Sequence, residues 1–192
     1  MAKMYYAISG KMGSGKTHLA QLLVQDHAFE KLAFADEIKE AVAKGLEIPL
    51  DVVFKEKTVF RQVLQGAGQA ARWYHGDTYW TDQVIQRVWA LGQFKHDRLV
   101  LDDLRFPHEA DRLRDEGFTL VRLESDPQAH EIYCHSKGYT HRDLIDISET
   151  ALDEYDGWDI VIRSRPRDIY TVSAEFVAAL GLGNSSPIHG YE

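Results

Sequence analysis

Residues 8–20 read ISGKMGSGKTHLA, and Gly10 to Thr17 within them match G-x-x-x-x-G-K-T. Few short patterns restrict a fold so strongly. The glycines let the backbone wrap closely and turn successive N–H groups inward, forming a nest for an anion. Such a nest needs a strand to deliver it and a helix to follow, whose first turn adds partial positive charge at the same place. Both are legible. Residues 4–9 form an apolar and aromatic run that stops at Gly10, as a buried strand does. Over 17–26, Leu19, Leu22 and Leu23 recur at helical spacing.

This context makes a nucleotide's phosphates the expected ligand. Gly10, Lys11, Gly13, Ser14, Gly15, Lys16 and Thr17 are the expected contacts. Lys16 would reach the β- and γ-phosphates, and Thr17 would offer its hydroxyl to Mg²⁺. ATP and Mg²⁺ are therefore the expected cofactors.

The rest of the chain alternates strand and helix signals. Further strands are expected at 29–34, 99–101, 118–123 and 159–162. Asp36 is placed to cap a helix over 36–44 that stops at Gly45. Periodicity is helical from 51 to 91, interrupted at Gly66, Gly68 and Gly76. Pro107 suits a first helical position and Gly117 a helix end. A closing helix is expected over 166–180, then a loose tail. The pattern predicts a single α/β domain of the P-loop NTPase class, a parallel five-stranded sheet flanked by helices. A helical acceptor-binding insertion spans about 36–92. A polar lid spans about 125–156, where Lys137 and Arg142 are candidate clamps on a transferring phosphate.

Composition narrows the partners. Net charge is −8, whereas proteins that grip long nucleic acid carry a basic face. Cys134 is the single cysteine, so no internal disulfide forms and a reducing compartment is expected. The start MAKMYYAISG lacks a leader's apolar core, and no apolar stretch approaches a membrane span. A cytoplasmic protein without a membrane partner is expected. A homodimer is the one assembly left open.

A P-loop needs a strand-end acid near its metal. LVLDDLRF supplies two, Asp102 and Asp103, and adjacency alone does not choose between them. The guanine-reading N-K-x-D is absent and the chain is short for a motor, which leaves a small-molecule kinase as the leading reading. An ATP-binding switch without transfer is the rival from another class. Arg61 and Gln65, four apart on one helix face, could hold a phosphate and a base edge. Gly66 and Gly68 would admit a ligand to the backbone, and Trp73, Tyr79 or Trp80 could stack on a base. Asp36 is either a helix cap or a group near the acceptor, with Lys39 one turn on.

Taken together, GKMGSGKT, FADEIKEAV, RQVLQGAGQ, DDLRFPHEA and ISETALD…DIVI resemble the deoxynucleoside monophosphate kinases of tailed bacteriophages. The likeness runs in order over nearly the whole chain. It implies a nucleoside-monophosphate-kinase type of fold and ATP- and Mg²⁺-dependent conversion of deoxynucleoside monophosphates to diphosphates. Cytoplasmic would then mean the host's cytoplasm if the protein is phage-encoded. By position, the resemblance implies that Arg61, Gln65 and Gly68 contact the monophosphate and that Trp80 falls near an aromatic of its pocket. It favours Asp103 over Asp102 as the functional acid, beside Thr17 on the metal. It makes Arg105 a phosphate clamp, and Glu109 an acceptor contact or a brace for Arg105. Attention also falls on Ser148 and Glu149, which fit equally a helix N-cap and a first-turn acid. The chain departs from the pattern at Gln69, where relatives often carry Thr, and at Thr17, where many carry Asp.

Overall fold

A computed structural model describes residues 3–93, 96–164 and 169–182. The chain forms two compact units, Met1–Lys31 with Asp97–Glu192, and Leu32–His96.

The first unit carries the sheet. Its strands are β1 (Met4–Gly10), β2 (Glu30–Leu32), β3 (Arg98–Leu101), β4 (Thr119–Ser125) and β5 (Ile160–Ser164), and its first helix is α1 (Lys16–His27). Strand order is β2-β3-β1-β4-β5, a parallel five-stranded sheet. Central β1 is buried from Tyr5 to Ser9, because a parallel strand covered on both faces needs a continuous apolar run. Ala7 lies opposite Leu101 on β3 and Leu120 on β4. Tyr6, Ile8, Leu19, Leu23, Phe29, Leu123 and Phe176 share one core cluster. The strand order reverses on either side of β1, so a crevice opens at its C-terminal end, where ligands of such sheets bind. Gly10 ends β1 at that spot.

The remaining helices of this unit are α6 (Pro107–Asp115), α7 (Pro127–Ser136), α8 (His141–Leu144), α9 (Ile147–Thr150) and α10 (Ile169–Ala179). Pro107 opens α6, and Gly117, just past its end, takes a φ of 86°. Of the closing helix expected over 166–180, residues 166–168 lie outside the described residues, as does the tail from 183.

The second unit is helical: α2 (Phe34–Leu46), α3 (Leu50–Lys55), α4 (Lys57–His75) and α5 (Tyr79–Gln93). Three sequence expectations fail here. Asp36 is not the N-cap, since α2 begins at Phe34 after Ala33 and Asp36 falls in its first turn. Gly45 does not stop the helix; Glu47 does, in the left-handed conformation with φ 54°. Gly66 and Gly68 do not interrupt α4, which runs unbroken from Lys57 to His75. A mid-helix glycine costs about 1 kcal/mol against alanine. At Gly68 packing supplies a reason for it. A Cβ there would sit 3.2 Å from Ile38 Cδ1, and the Trp80 indole N–H donates to the Gly68 carbonyl at 3.0 Å. Gly76 does end α4, with φ 101°.

Candidate active site

The glycine loop joins β1 to α1 as its spacing demands. Gly13 and Gly15 have φ of 79° and 94°, conformations that side chains resist, and Gly15 caps α1. Gly10 is required by close approach: a Cβ there would stand 2.6 Å from the Leu123 carbonyl oxygen. The Ser14 hydroxyl is buried inside the loop and, among the described residues, has no hydrogen-bond partner. An orphaned hydroxyl within a nest of amides suits a polyanion. Thr17 is exposed at the start of α1.

Lys16 Nζ donates to the carbonyls of Gly10 and Lys11 at 2.6 and 2.9 Å. Burial lowers its pKa to about 8; Glu149 and Asp102 oppose that shift, while Arg105 and Arg122 add to it. The field on Lys16 bears on the choice between the paired acids. Asp102, buried at the end of β3 and paired with Lys31 at 2.8 Å, acts on Lys16. Asp103, favoured by resemblance, acts on Glu109.

Past β3 the chain turns sharply, and Glu109 fixes the turn. Its Oε2 accepts the backbone N–H groups of Arg105 and Phe106 at 2.8 and 3.0 Å. Burial pushes its carboxyl up to about 7 against the pull of those amides. Glu109 thus braces the backbone that presents Arg105. Arg105 Nη1 in turn donates to Glu149 Oε1 at 2.8 Å and to Ser148 Oγ at 3.3 Å.

Sequence reasoning missed Arg122. It lies on β4, donates to Ser9 Oγ at 3.0 Å and stands 3.4 Å from Asp153. Its side chain is 12 % exposed. A charge set between the buried Val121 and Leu123 of TLVRLES was the available signal. Lys16, Arg105 and Arg122 line one small chamber with Ser9, Ser148 and Glu149. Beside it, a cavity of about 570 Å³ is lined by Lys11, Arg122, Ser125, His130 and Arg163 among others. The Ser125 hydroxyl in its wall also has no partner among the described residues.

The polar segment 125–156 touches the loop at several points. The Tyr133 ring covers Gly13 so closely that any Cβ there would overlap it. Glu149 accepts the Met12 N–H at 2.8 Å, and Asp153 pairs with Lys11 at 2.6 Å. Lys137 is exposed, with its ammonium 5.9 Å from the Tyr133 ring centroid. Arg142 falls in α8, but its side chain lies outside the described residues. The N-cap of α9 is Asp146, not Ser148, whose N–H it accepts at 2.9 Å.

The expected acceptor residues lie in the helical unit. Arg61 and Gln65 are exposed on α4. Gly68 is buried beneath Ile38 and Trp80. Trp80 itself is 4 % exposed with its N–H committed, so its ring is a core element of this unit. Lys39 is buried, paired with Asp36 at 2.5 Å and seated over the Phe54 ring.

No protein-family model matches the chain. In sequence it is similar to the uncharacterised protein ORF77 of Ictalurid herpesvirus 1 (strain Auburn), at 29 % identity over 149 residues. That match takes in 78 % of this chain and spans 59 % of the viral protein's length. In structure it is similar to a sugar kinase of Janibacter sp. HTCC2649, with TM-score 0.59 and 15 % identity over 94 % of this chain and 96 % of that one. It is also similar to a gluconokinase of Sinorhizobium meliloti 1021, with TM-score 0.52 and 15 % identity over 94 % and 93 % of the two chains. A shikimate kinase of Aquifex aeolicus gives TM-score 0.51 and 17 % identity over 94 % of this chain and all of that one. At such identities the likeness is one of fold, the P-loop kinase arrangement.

Proposed function

We propose that the protein is a phosphotransferase that moves the γ-phosphoryl group of ATP onto a nucleoside monophosphate, giving the diphosphate. The observation that carries this reading is the cationic chamber at the loop: Lys16, Arg105 and Arg122 converge there, beside a glycine nest holding an orphaned Ser14 hydroxyl. Three cations around one chamber suit a site that grips a phosphate tail and also offsets charge on a group in transit. The 570 Å³ cavity next to Lys11 has room for the nucleoside end of ATP. Thr17, with Asp102 or Asp103, supplies the hard oxygen donors that Mg²⁺ prefers. The metal's contribution would be to neutralise charge on the β- and γ-phosphates.

A deoxynucleoside monophosphate is the acceptor supported by the resemblance of RQVLQGAGQ and DDLRFPHEA to the phage kinases. Arg61 and Gln65 are assigned to its phosphate and base, Arg105 to a phosphate, and Asp36 and Lys39 to the approach of the acceptor. The acceptor's phosphate oxygen, already an anion at neutral pH, attacks the γ-phosphorus in line as the bond to the β-phosphate oxygen breaks. No strong general base is required. Burial of Trp80 and Gly68 removes both from direct contact in this scheme and gives them the role of fixing α4.

The names of the structural neighbours favour a second reading, a kinase of a small hydroxylated metabolite. An ADP-release assay across deoxynucleoside monophosphates, ribonucleoside monophosphates, sugars, gluconate and shikimate separates the two. Release driven by a nucleoside monophosphate is expected, with Arg61→Ala raising the acceptor KM about tenfold or more and leaving the ATP Kd unchanged. Release driven only by a sugar or hydroxy acid replaces the nucleotide acceptor. An unchanged KM removes Arg61 from the site.

A further inference from the structure

The segment that folds over the glycine loop presents an acid to it. We propose that Glu149 is an internal competitor for the phosphate loop, a plug that a nucleotide's phosphates must displace before they seat. The inference rests on the phosphate-loop reading above and goes beyond it.

Glu149 is not placed like a surface acid. Its side chain is 7 % exposed. One carboxylate oxygen accepts the Met12 N–H of the loop at 2.8 Å, and the other accepts Arg105 Nη1 at 2.8 Å. Its main-chain carbonyl accepts Lys11 Nζ at 2.9 Å. A single residue thus engages two residues of the glycine loop and the arginine at its rim. Glu149 is also the charge acting most strongly on Lys16. A carboxylate carries two acceptor oxygens and a negative charge, the features by which these same donors recognise a phosphate. Two anions cannot hold one set of donors, because in a buried site their repulsion is weakly screened.

The neighbouring contacts extend the same pattern. Asp153, four residues on, takes Lys11 at 2.6 Å and lies 3.4 Å from Arg122. The stretch 147–153 therefore engages Lys11, Arg105 and Arg122 together. Lys16 meanwhile donates to the loop's own carbonyls. The plug is held in turn by its own cap: Asp146 Oδ1 accepts the Ser148 N–H at 2.9 Å and its hydroxyl at 2.7 Å. A plain structural brace would need only one of these contacts, and would have no reason to use the amide at the crown of the loop.

An equilibrium between plugged and open loops lowers apparent affinity by the fraction that is open. Destabilising the plug therefore tightens nucleotide binding. Calorimetric titration of the full chain with ATP in magnesium buffer tests this on wild type, Glu149→Ala, Glu149→Gln and Asp146→Ala. Expected is an ATP Kd about tenfold or more lower for Glu149→Ala, an intermediate gain for Glu149→Gln, and a two- to fivefold gain for Asp146→Ala. Asp146→Ala loosens the α9 cap and leaves the Glu149 side chain in place, and so carries the test if removing Glu149 impairs folding. Equal affinities throughout overturn the plug, make Glu149 a brace and leave the nucleotide reading intact. Weaker binding by Glu149→Ala with Asp146→Ala unchanged overturns it too, making Glu149 a ligand contact. If no variant binds ATP, the phosphate-loop reading falls, and the plug with it.

Discussion

Burial and charge both act on Lys16, and its chemistry sets a pH window. Burial holds its pKa at about 8, against an ordinary 10.5. A base with a depressed folded pKa is penalised when charged, so this contribution to stability is full above 10.5 and is lost as pH falls through about 8. Ligand binding runs the other way, because phosphates favour the ammonium. ATP affinity is therefore expected to be flat below about pH 8 and to fall as pH rises above it, with a proton taken up on binding near that pH. Titration calorimetry at pH 7 and 9, in two buffers of different ionisation enthalpy, reads both effects, and Lys16→Met should abolish them. Binding that is independent of pH from 7 to 9 would remove Lys16 from the phosphates. At this scale the loop was fully legible, since each fixed position of G-x-x-x-x-G-K-T has one mechanical use. Arg122 and Glu149 were not read in full. Their roles depend on which side chains cross from β4 and α9 to the loop, and strand alternation or helix capping alone does not say so.

Among elements, the turn between β3 and α6 holds the most instructive local choice. Glu109, the eighth residue of DDLRFPHEA, spends its carboxylate on the two amides that aim Arg105. Its pKa is raised to about 7 from 4.5. An acid with a raised folded pKa adds stability that is full below 4.5 and is lost as pH rises through about 7, on the order of 3 kcal/mol across the whole window. Glu109→Gln keeps an acceptor oxygen for both amides and carries no charge. It should be the more stable protein above pH 7 and show a flatter pH dependence. Urea unfolding at pH 5.5 and 8.5 measures this; a pH slope equal to wild type would show that the buried charge is compensated in another way. The strands were legible because parallel, doubly covered strands are short apolar runs ended by turn residues, as at 99–101 and 118–123. The helix ends were less so. Glycine was read as punctuation at Gly45, Gly66 and Gly68, yet only Gly76 breaks the helix. Gly68 is there for close packing against Ile38, a tertiary demand that local propensity does not contain.

For the whole molecule, the division into two compact units makes it possible to ask which ligand each one binds. The sheet unit is built around Ile8, Leu23, Leu123 and Phe176. The helical unit buries Val42, Val53, Trp80, Val84 and Val88. The division coincides with a change of periodicity in the sequence, from alternating strand and helix signals to helix alone. What the sequence could not show is that two aromatics proposed as base platforms are spent differently, Trp80 on the core and Trp73 at 87 % exposure. If ATP belongs to the loop and the monophosphate to α4, each ligand alone should protect a different unit. Mg·ATP at about a hundred times its Kd raises the free energy of any opening that destroys its site by about 2.7 kcal/mol. Amides of β1, α1 and β4 should then exchange about a hundredfold more slowly, while those of α5 are unchanged at that concentration. A nucleoside monophosphate alone should slow the amides of α4 and α5. Hydrogen exchange with each ligand separately decides between these patterns, and protection by both confined to the sheet unit would take the acceptor away from Arg61 and Gln65.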